Sequence, residues 1–570
     1  MTWSSISQTL AVLAILVAIS KPLGAFMAAV FEGERTFLSR PFRPIEHLIY
    51  RVSAVDPELH QNWTAYSASL LAFGLLNFLL FYVLLRWQNF LPLNPKGFPT
   101  LQPDLAFNTA VSFLTNTSWQ SYAGESTLSY LAQMLGITVQ SFTSAAAGMA
   151  AAMALIRGFA RQGTDRLGNF WVDLTRATLY VLLPISLLGA LFLCSQGVIQ
   201  NLRPYPQVTT IEGARQTVAF GPVASQEPIK LMSSDGGGFF NANSGHPFEN
   251  PTPLTNLVEM LLILVIPAAF PCTFGVLTGN RKHGWTLFAA MALLFSLGCM
   301  LTAWSEQSGN PALKISGGNM EGKETRFGIA ASAAFSVVST ASSDGAVNSA
   351  HDSYMPLSTL VQMFNLKSGE VIFGGTGSGI MSMILIVMIA IFIAGLMVGR
   401  SPEYLGKKIE GKEIKMVMLA FVITAAATLL FSALPFLVKL APGSYWNPGG
   451  ALTSNLGNPG AHGLSEILYA NGSAVATNGS AMAGLNANTP WFNLTLGLGM
   501  LIGRFLMIVP ALAIAGSLAR KKRMSATIGT MPTDGVVFMV LLLGTIFLVT
   551  ALTFFPAFCL GPIAEAYQIK

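Results

Sequence analysis

Four short polar motifs lie between hydrophobic segments of this chain: Thr115-Asn116-Thr117-Ser118, Ser234-Asp235-Gly236-Gly237, Ser343-Asp344-Gly345-Ala346 and Thr477-Asn478-Gly479-Ser480. Aligned from their first residues, they read Ser or Thr, then Asn or Asp, then Gly in three of the four copies. Hydroxyl groups, turn-forming residues and glycines repeated in this way predict a four-fold ring of oxygen ligands. Such a ring is typical of a cation selectivity filter.

The composition excludes a soluble enzyme. Of the 570 residues, 52% are hydrophobic and only 10% are charged, whereas globular domains carry about 25% charged residues. Several apolar stretches are long enough to cross a bilayer, which takes about 20 residues. Ten such stretches lie near 7–31, 62–86, 128–157, 172–196, 254–278, 284–304, 376–399, 414–439, 491–517 and 535–560. We therefore expect an all-α polytopic membrane protein.

The basic residues indicate its orientation. Alternate short loops, including 400–415 and 520–523, hold more than half of the 32 Lys and Arg residues, while the long opposite loops are poor in them. By the positive-inside rule, the basic side faces the cytoplasm and both termini lie outside. The net charge of +6 then reflects membrane topology and not nucleic-acid binding.

Each polar motif follows a stretch that is too short or too mixed to span the membrane: 104–114, 223–233, 326–341 and 463–476. We interpret these stretches as re-entrant helices whose carbonyl ends point toward a pore and favour a cation. The chain is therefore predicted to contain four units, each made of a span, a re-entrant helix, a polar loop and a second span. We expect one membrane domain, 1–570, with an extra first helix at 1–61, repeats at 62–160, 161–282, 283–400 and 401–523, and an extra last helix at 524–570.

Several longer strings resemble a known family. The chain is similar to the potassium-binding A subunits of the bacterial Kdp potassium-transporting ATPases, and the match runs essentially from end to end. The strings that carry the resemblance are 118–122 (SWQSY), 236–244 (GGGFFNANS), 246–251 (HPFENP), 345–348 (GAVN), 373–375 (FGG) and 393–408 (IAGLMVGRSPEYLGKK).

The resemblance implies four membrane-pore-membrane repeats about a pseudo-four-fold axis, the fold of the potassium-transporter superfamily. It also implies a complex in the bacterial inner membrane with a P-type ATPase B subunit, a C subunit and a small F subunit. In that family the A subunit selects potassium from the periplasmic side and passes it to the ATPase subunit.

The resemblance places the potassium filter on three residues of each motif: Thr115, Asn116 and Thr117; Ser234, Asp235 and Gly236; Ser343, Asp344 and Gly345; and Thr477, Asn478 and Gly479. Two of these twelve residues, Asp235 and Asp344, carry carboxylates where the family pattern leads us to expect neutral side chains. We expect both to point away from the ion and to bind backbone amides, because ionised groups in the cage would hold the ion too tightly.

The resemblance also implies an ion pathway that includes Gln120, Glu370, Arg400 and Arg504. Arg504 lies in the middle of a span, where an arginine costs about 2.5–3.5 kcal/mol and usually faces a cavity; a packed or snorkelling side chain is the alternative. Glu370 precedes the glycine-rich segment 374–379. These glycines indicate either a break in the seventh span or close helix packing.

The sequence lacks the nucleotide-binding pattern GxxxxGK[ST] and the P-type phosphorylation motif Asp-Lys-Thr-Gly. We therefore expect a non-hydrolytic, ion-translocating subunit of an ATP-driven potassium uptake complex, with K⁺ as its only ion and no nucleotide bound by this chain. Two alternatives are a stand-alone potassium channel or symporter of the same superfamily and a secondary transporter of an organic solute.

Overall fold

The computed structural model describes residues 3–310, 317–399, 401–438, 454–524 and 531–569. Over these ranges, ten helical segments are long and apolar enough to cross a membrane, as the sequence predicted. The segments are Trp3–Phe31, Trp63–Phe90, Ala132–Ala160, Phe170–Ser195, Pro253–Thr278, Arg281–Gln307, Ser378–Met397, Gly411–Leu437, Pro490–Arg520 and Val536–Gln568.

The α-helices, in chain order, are α1 Trp3–Phe31, α2 Ser39–Val52, α3 Trp63–Trp87, α4 Pro103–Leu114, α5 Gly124–Thr127, α6 Val139–Ala160, α7 Phe170–Arg176, α8 Leu183–Ser195, α9 Val223–Met232, α10 Pro253–Thr278, α11 Arg281–Gln307, α12 Gly328–Ala341, α13 Pro356–Lys367, α14 Ser378–Met397, α15 Gly411–Leu437, α16 Gly460–Val475, α17 Pro490–Arg520, α18 Val536–Phe558 and α19 Ala564–Gln568. Short π-helical turns precede α6, α8 and α19.

Four of these helices are the predicted re-entrant elements. α4 ends at the residue before its polar motif, and α9, α12 and α16 each end with one residue between the helix and the motif. Their bounds agree with the predicted stretches to within three residues, with α16 starting at Gly460 where 463 was predicted. The architecture of span, short helix, polar loop and span is thus present four times.

Local chemistry explains why two of the returning spans begin where they do. Thr252 and Thr489 cap α10 and α17 by accepting hydrogen bonds from backbone N–H groups in the first turn. Each is followed by a proline, which suits the first helical position because no N–H partner is needed there. The chain is therefore held in helix directly after each of these two loops.

Three antiparallel pairs of very short strands tie the loops together: β1 Gln61–Asn62 with β2 Arg166–Gly168, β3 Gln207–Thr209 with β4 Arg215–Thr217, and β5 Glu403–Tyr404 with β6 Lys407–Lys408. The β3–β4 and β5–β6 pairs are hairpins within single loops, and the β1–β2 pair joins two separate loops. The rest of the described structure is mainly helical.

Small residues bring the central helices close together. A side chain at Gly158 of α6 would meet the Cα atom of Ala515 in α17 at 2.5 Å, and one at Gly24 of α1 would meet the carbonyl oxygen of Ala269 in α10 at 2.8 Å. Close backbone approach of this kind is a main source of helix association in membranes, where the hydrophobic effect is weak.

The chain is not helical just before the seventh span, Ser378–Met397. α13 ends at Lys367 and α14 begins at Ser378, and between them Gly369, Glu370, Phe373 and Gly377 all have positive φ. The prediction of a break near the glycine-rich segment is confirmed. Close helix packing is present as well, because a side chain at Gly377 would clash with the backbone of Gly148 in α6.

Lys407 in the basic loop is buried and acts as an internal tie. Its ammonium donates hydrogen bonds to the carbonyl oxygens of Gly158 (2.7 Å), Leu518 (2.8 Å) and Arg161. These oxygens lie at the ends of α6 and α17, where cations are favourable. Burial, with nearby basic groups, lowers the pKa of Lys407 to about 8. Lys407 is therefore part of the protein interior although it lies in the basic loop 400–415.

A histidine joins three elements at the N-terminal end of α16. His462 bonds Asp352 through Nε2 (3.0 Å) and Glu565, in α19, through Nδ1 (2.8 Å). Burial opposes protonation, but the two hydrogen bonds and the two carboxylate charges outweigh it and raise the pKa of His462 to about 10. The protonated imidazole fastens the C-terminal helix to the fourth re-entrant helix.

This ion pair predicts a pH-dependent contribution to stability. A histidine in the unfolded chain titrates near pH 6.5. The stabilisation is therefore complete below that pH, declines above it and is lost as the pH passes about 10. His462→Gln should melt at a lower temperature than the wild type at pH 6, and thermal-shift curves of the two proteins should converge toward pH 10.

His60→Gln is the matched control, since His60 is exposed. It should melt like the wild type throughout. A difference between His462→Gln and the wild type that stays constant with pH would contradict the proposed ion pair.

Candidate functional site

The four polar loops share one backbone hydrogen bond. After each re-entrant helix, a loop N–H donates to the carbonyl oxygen five residues earlier instead of the usual four. The bonds are Thr117 to Ser112 (2.9 Å), Asp235 to Lys230 (3.2 Å), Asp344 to Ser339 (3.3 Å) and Asn478 to Ser473 (2.9 Å). The residue before each of these donors has positive φ: Asn116, Ser234, Ser343 and Thr477. The loops are therefore structural equivalents.

This equivalence corrects the alignment of the first motif by one residue. Asn116, Thr117 and Ser118 correspond to Ser234, Asp235 and Gly236, so Ser118 takes the place of the glycine in the other loops. Thr115 belongs to the end of α4, where its hydroxyl donates to the carbonyl oxygen of Val111 (2.8 Å). The sequence alignment was wrong here because it matched hydroxyl residues, whereas the helix end sets the register.

The loops contact one another in chain order and close into a ring. Asn116 of the first loop donates to the carbonyl oxygen of Ser234 (2.7 Å) in the second. The N–H of Gly345 in the third donates to the carbonyl oxygen of Asp235 (3.0 Å). The ring continues from the third loop to the fourth, where the hydroxyl of Ser343 donates to the carbonyl oxygen of Thr477 (2.8 Å).

The fourth loop meets the first at Gly479, where any Cβ atom would overlap the carbonyl oxygen of Thr117. Gly345 has the same restriction, since a side chain there would lie 2.6 Å from the hydroxyl oxygen of Ser118 and 3.0 Å from the carbonyl oxygen of Asn478. Ser118, in turn, donates to the carbonyl oxygen of Asp235. Glycine at these positions lets four backbones converge on one centre.

The two carboxylates of the ring differ from each other. Asp344 accepts a hydrogen bond from the N–H of Ala346 (2.8 Å), as expected. For Asp235 the expectation was wrong: within the described residues, neither carboxylate oxygen accepts a backbone N–H bond. The following residues Gly236 and Gly237 both have positive φ, so the chain after Asp235 turns differently from the tight turn at Asp344.

Glu370 lies directly against the third and fourth loops. Its carboxylate accepts hydrogen bonds from Ser343 (2.8 Å), Thr477 (3.3 Å) and Ser378 (2.7 Å). Glu370 has positive φ and lies in the non-helical segment between α13 and α14. A buried carboxylate thus borders the ring.

Arg504 reaches the ring indirectly. Its guanidinium donates to the carbonyl oxygen of Ser144 in α6 (2.9 Å), and the hydroxyl of Ser144 donates to the side-chain oxygen of Asn116 (2.8 Å). Arg504 and Glu370 both line a cavity of about 80 Å³, together with Lys367 and Thr477. The side chain is buried and not snorkelling, so the sequence expectation of a cavity-facing arginine is confirmed.

The other two proposed pathway residues lie elsewhere. Gln120 follows the first motif, and its amide accepts a hydrogen bond from the N–H of Gly238 (3.0 Å) and donates to Tyr122 (3.3 Å). It therefore joins the first and second loops beyond the ring. Arg400 lies outside the described residues.

Sequence reasoning missed a charged cluster behind the second loop. Lys230 of α9 pairs with Glu227 (3.0 Å) and Glu249 (2.6 Å), and its ammonium also donates to Asn243 (2.9 Å). All three charged side chains are almost completely buried. The sequence offered one signal for this cluster: Glu227 and Lys230 lie three residues apart in a short helix of an otherwise apolar chain. The second partner, Glu249, comes after the loop, and only the fold places it beside Lys230.

The chain is similar to known proteins over nearly its whole length. Residues 10–567 match the family described as potassium-transporting ATPase A subunit. Two similar relatives are both named potassium-transporting ATPase potassium-binding subunit. The protein of Solibacter usitatus is 55% identical, over 100% of this chain and 98% of the relative, and that of Rhizobium rhizogenes is 54% identical, over 99% and 98%.

Among solved structures, the fold is similar to that of the potassium transporter TrkH from Vibrio parahaemolyticus. The TM-score is 0.52, covering 89% of this chain and 98% of TrkH. At 14% sequence identity, this likeness concerns the fold alone.

The cluster at Lys230 predicts a large effect on stability. Lys230→Met leaves two buried carboxylates without their cation, and breaking a buried pair in this way typically costs about 3–5 kcal/mol. We expect a comparable loss in the free energy of unfolding, measured by denaturant titration in detergent.

Removing one carboxylate with Lys230→Met/Glu249→Gln should recover part of the loss. Lys412→Met, at an exposed lysine, controls for the change of residue type. If Lys230→Met unfolds like this control, the cluster does not stabilise the second loop.

Proposed function

Because the chain belongs to the potassium-transporting ATPase A subunit family, we propose that it selects potassium ions at the ring of four loops and passes them to an ATP-hydrolysing partner. The single observation that carries this proposal is the shared bond from a loop N–H to the carbonyl oxygen five residues back, repeated in all four loops. It makes the loops equivalent parts of one ring.

Selection would rest on oxygen atoms that replace the hydration shell of the ion. The ring concentrates carbonyl and hydroxyl oxygens, and four helix carbonyl ends point toward it, which favours a cation. The ligand residues that we propose for the first loop are Asn116, Thr117 and Ser118. In the other loops they are Ser234, Asp235 and Gly236; Ser343, Asp344 and Gly345; and Thr477, Asn478 and Gly479.

Glu370 and Arg504 would act on the ion after the ring. The cavity that they line adjoins the non-helical segment between α13 and α14. Irregular backbone at membrane depth is tolerated where it borders such a cavity. A carboxylate there would offset the loss of hydration, while the nearby guanidinium would keep a second cation from following closely. We propose Gln120 as a residue of the outer approach to the ring and keep Arg400 as a pathway residue.

The chain is a multi-pass membrane protein and a component of a potassium-transporting ATPase complex, and it is not the ATP-hydrolysing part. We propose that its partners are a P-type ATPase B subunit, a C subunit and a small F subunit in the bacterial inner membrane, with both termini of this chain periplasmic. The repeat boundaries at 62–160, 161–282, 283–400 and 401–523 belong to the same proposal.

Family membership favours this function over a stand-alone channel, a symporter or an organic-solute transporter. The test is co-purification followed by assay of ATP hydrolysis. Potassium-stimulated hydrolysis in the complex supports the proposal. Potassium flux through the chain alone without ATP would favour a channel, and transport of a solute independent of potassium would favour the last alternative.

Gly345→Ala tests the ring. The new methyl group would press on Ser118 and Asn478 and displace ligand oxygens. We expect the potassium concentration for half-maximal ATP hydrolysis by the complex to rise about tenfold, equivalent to ~1.4 kcal/mol of binding, and sodium to begin to stimulate.

Gly544→Ala is the matched control, because nothing lies within 4 Å of a side chain added at Gly544. It should behave as the wild type. Unchanged potassium affinity and unchanged discrimination against sodium in Gly345→Ala would rule out the ring as the filter.

Glu370→Gln tests the step after the ring. The amide keeps the shape of the side chain but removes its negative charge, so an ion leaving the ring loses its counter-charge. We expect the maximal rate of potassium-dependent hydrolysis to fall about tenfold, ~1.4 kcal/mol in the barrier, with a smaller change in half-saturation than in Gly345→Ala.

Ser378→Ala is the control for Glu370→Gln. It removes one hydrogen bond to the carboxylate of Glu370 but leaves the negative charge in place. Its rate should fall less than that of Glu370→Gln. Equal rates for Glu370→Gln and the wild type would exclude a role for the charge.

A further inference from the structure

The short helix α2 presents three different faces. It follows α1 after a connection of seven residues, 32–38, and its positions repeat every 3.6 residues. Residues 42, 46, 49 and 50 form one stripe, residues 41, 45, 48 and 52 a second, and residues 40, 43, 47 and 51 a third. On a helical wheel the three stripes lie about a third of a turn apart.

The first stripe packs on the protein. Glu46 is buried and pairs with Arg176 (3.0 Å), and Tyr180 donates a hydrogen bond to it (2.6 Å). Phe42 stacks edge-on against Tyr180, with ring centroids 5.7 Å apart. Because Tyr180 and Arg176 lie within the first turns of the span Phe170–Ser195, this face fixes α2 beside the end of a membrane span.

The second stripe is apolar and exposed. Ile45, Leu48 and Val52 are 44%, 59% and 78% exposed, and Phe37, just ahead of the helix, is 80% exposed. Apolar side chains aligned along one face at the end of a span are typical of a helix that lies in the membrane interface.

The third stripe is basic and also exposed. It consists of Arg40, Arg43, His47 and Arg51. In the part of the chain that the structure describes, none of the three arginines forms an ion pair with a carboxylate of the protein. Three unpaired guanidinium groups beside an apolar stripe match the phosphates of anionic phospholipids, which lie just outside the acyl chains.

We propose that α2 is an interfacial anchor that inserts its apolar stripe into the bilayer and binds anionic phospholipid headgroups through Arg40, Arg43 and Arg51. The protein-facing stripe sets the depth, because it ties α2 to the end of a span. The occupant of the exposed faces is therefore lipid, with phosphatidylglycerol as the headgroup chemistry to test. This proposal is independent of which ion the ring selects.

A fluorescent label at Leu48→Cys, in a chain that also carries Cys194→Ser and Cys559→Ser, measures contact with lipid. The full chain is reconstituted in phosphatidylcholine vesicles. Equal small fractions of nitroxide-labelled phosphatidylglycerol or nitroxide-labelled phosphatidylcholine are then added as quenchers. We expect quenching by both lipids, stronger by a factor of about two or more for phosphatidylglycerol, and weaker quenching of a label at His47→Cys on the basic stripe.

Arg40→Gln/Arg43→Gln/Arg51→Gln should abolish the preference for phosphatidylglycerol and leave quenching by phosphatidylcholine unchanged. Lys412→Gln/Lys415→Gln/Lys522→Gln removes the same charge from exposed positions elsewhere and should retain the preference. In the protein with its arginines intact, high salt should reduce the preference through screening, which tests the charge contribution even if the triple variant fails to fold.

Two results would overturn the proposal. Absence of quenching at Leu48→Cys by either lipid would show that the apolar stripe is covered by protein or lies in water. Equal quenching by the two lipids, insensitive to salt, would show insertion without recognition of anionic headgroups.

Discussion

The ring depends on one constraint: backbone that leaves a helix at membrane depth has no water to satisfy its polar groups. The chain meets this constraint in two ways. Within each loop, an N–H group reaches back five residues to the preceding helix; between loops, the N–H of Gly345 and the hydroxyl of Ser118 both donate to the carbonyl oxygen of Asp235. Each loop is therefore shaped partly by the next, and the four form one unit.

The polar groups that support the ring differ from loop to loop. The second loop depends on the buried pair of Lys230 and Glu249, and the third and fourth are joined through Glu370. The fourth is held further by Tyr469, whose hydroxyl bonds Ser480 (2.9 Å). Buried charges are costly unless paired and hydrogen-bonded, and here their partners come from segments that the loops themselves bring together. The ring is thus four-fold in its backbone and asymmetric in its support.

This asymmetry extends to the ligands. Ser118 occupies the position of glycine in the first loop, and its hydroxyl reaches toward the third, where a side chain at Gly345 would meet it. Asp344 closes a local turn with its own backbone, as Asn478 does by accepting from the N–H of Ser480 (3.0 Å). Asp235 does not. The second and third loops therefore each bring a carboxylate to the ring but hold it differently, and the first and fourth loops have none, within a backbone frame common to all four.

The sequence by itself determined the number of spans and the presence of the four re-entrant helices, with their bounds to within three residues. These features depend on local hydrophobic length and on glycine and turn chemistry, which neighbouring residues reveal. Tertiary structure alone decided the register of the first loop, the different roles of Asp235 and Asp344, and the pairing of Lys230 with Glu249. The physical reason is that helix ends fix the register, and buried charges choose partners by distance in space, whereas sequence similarity orders residues only along the chain.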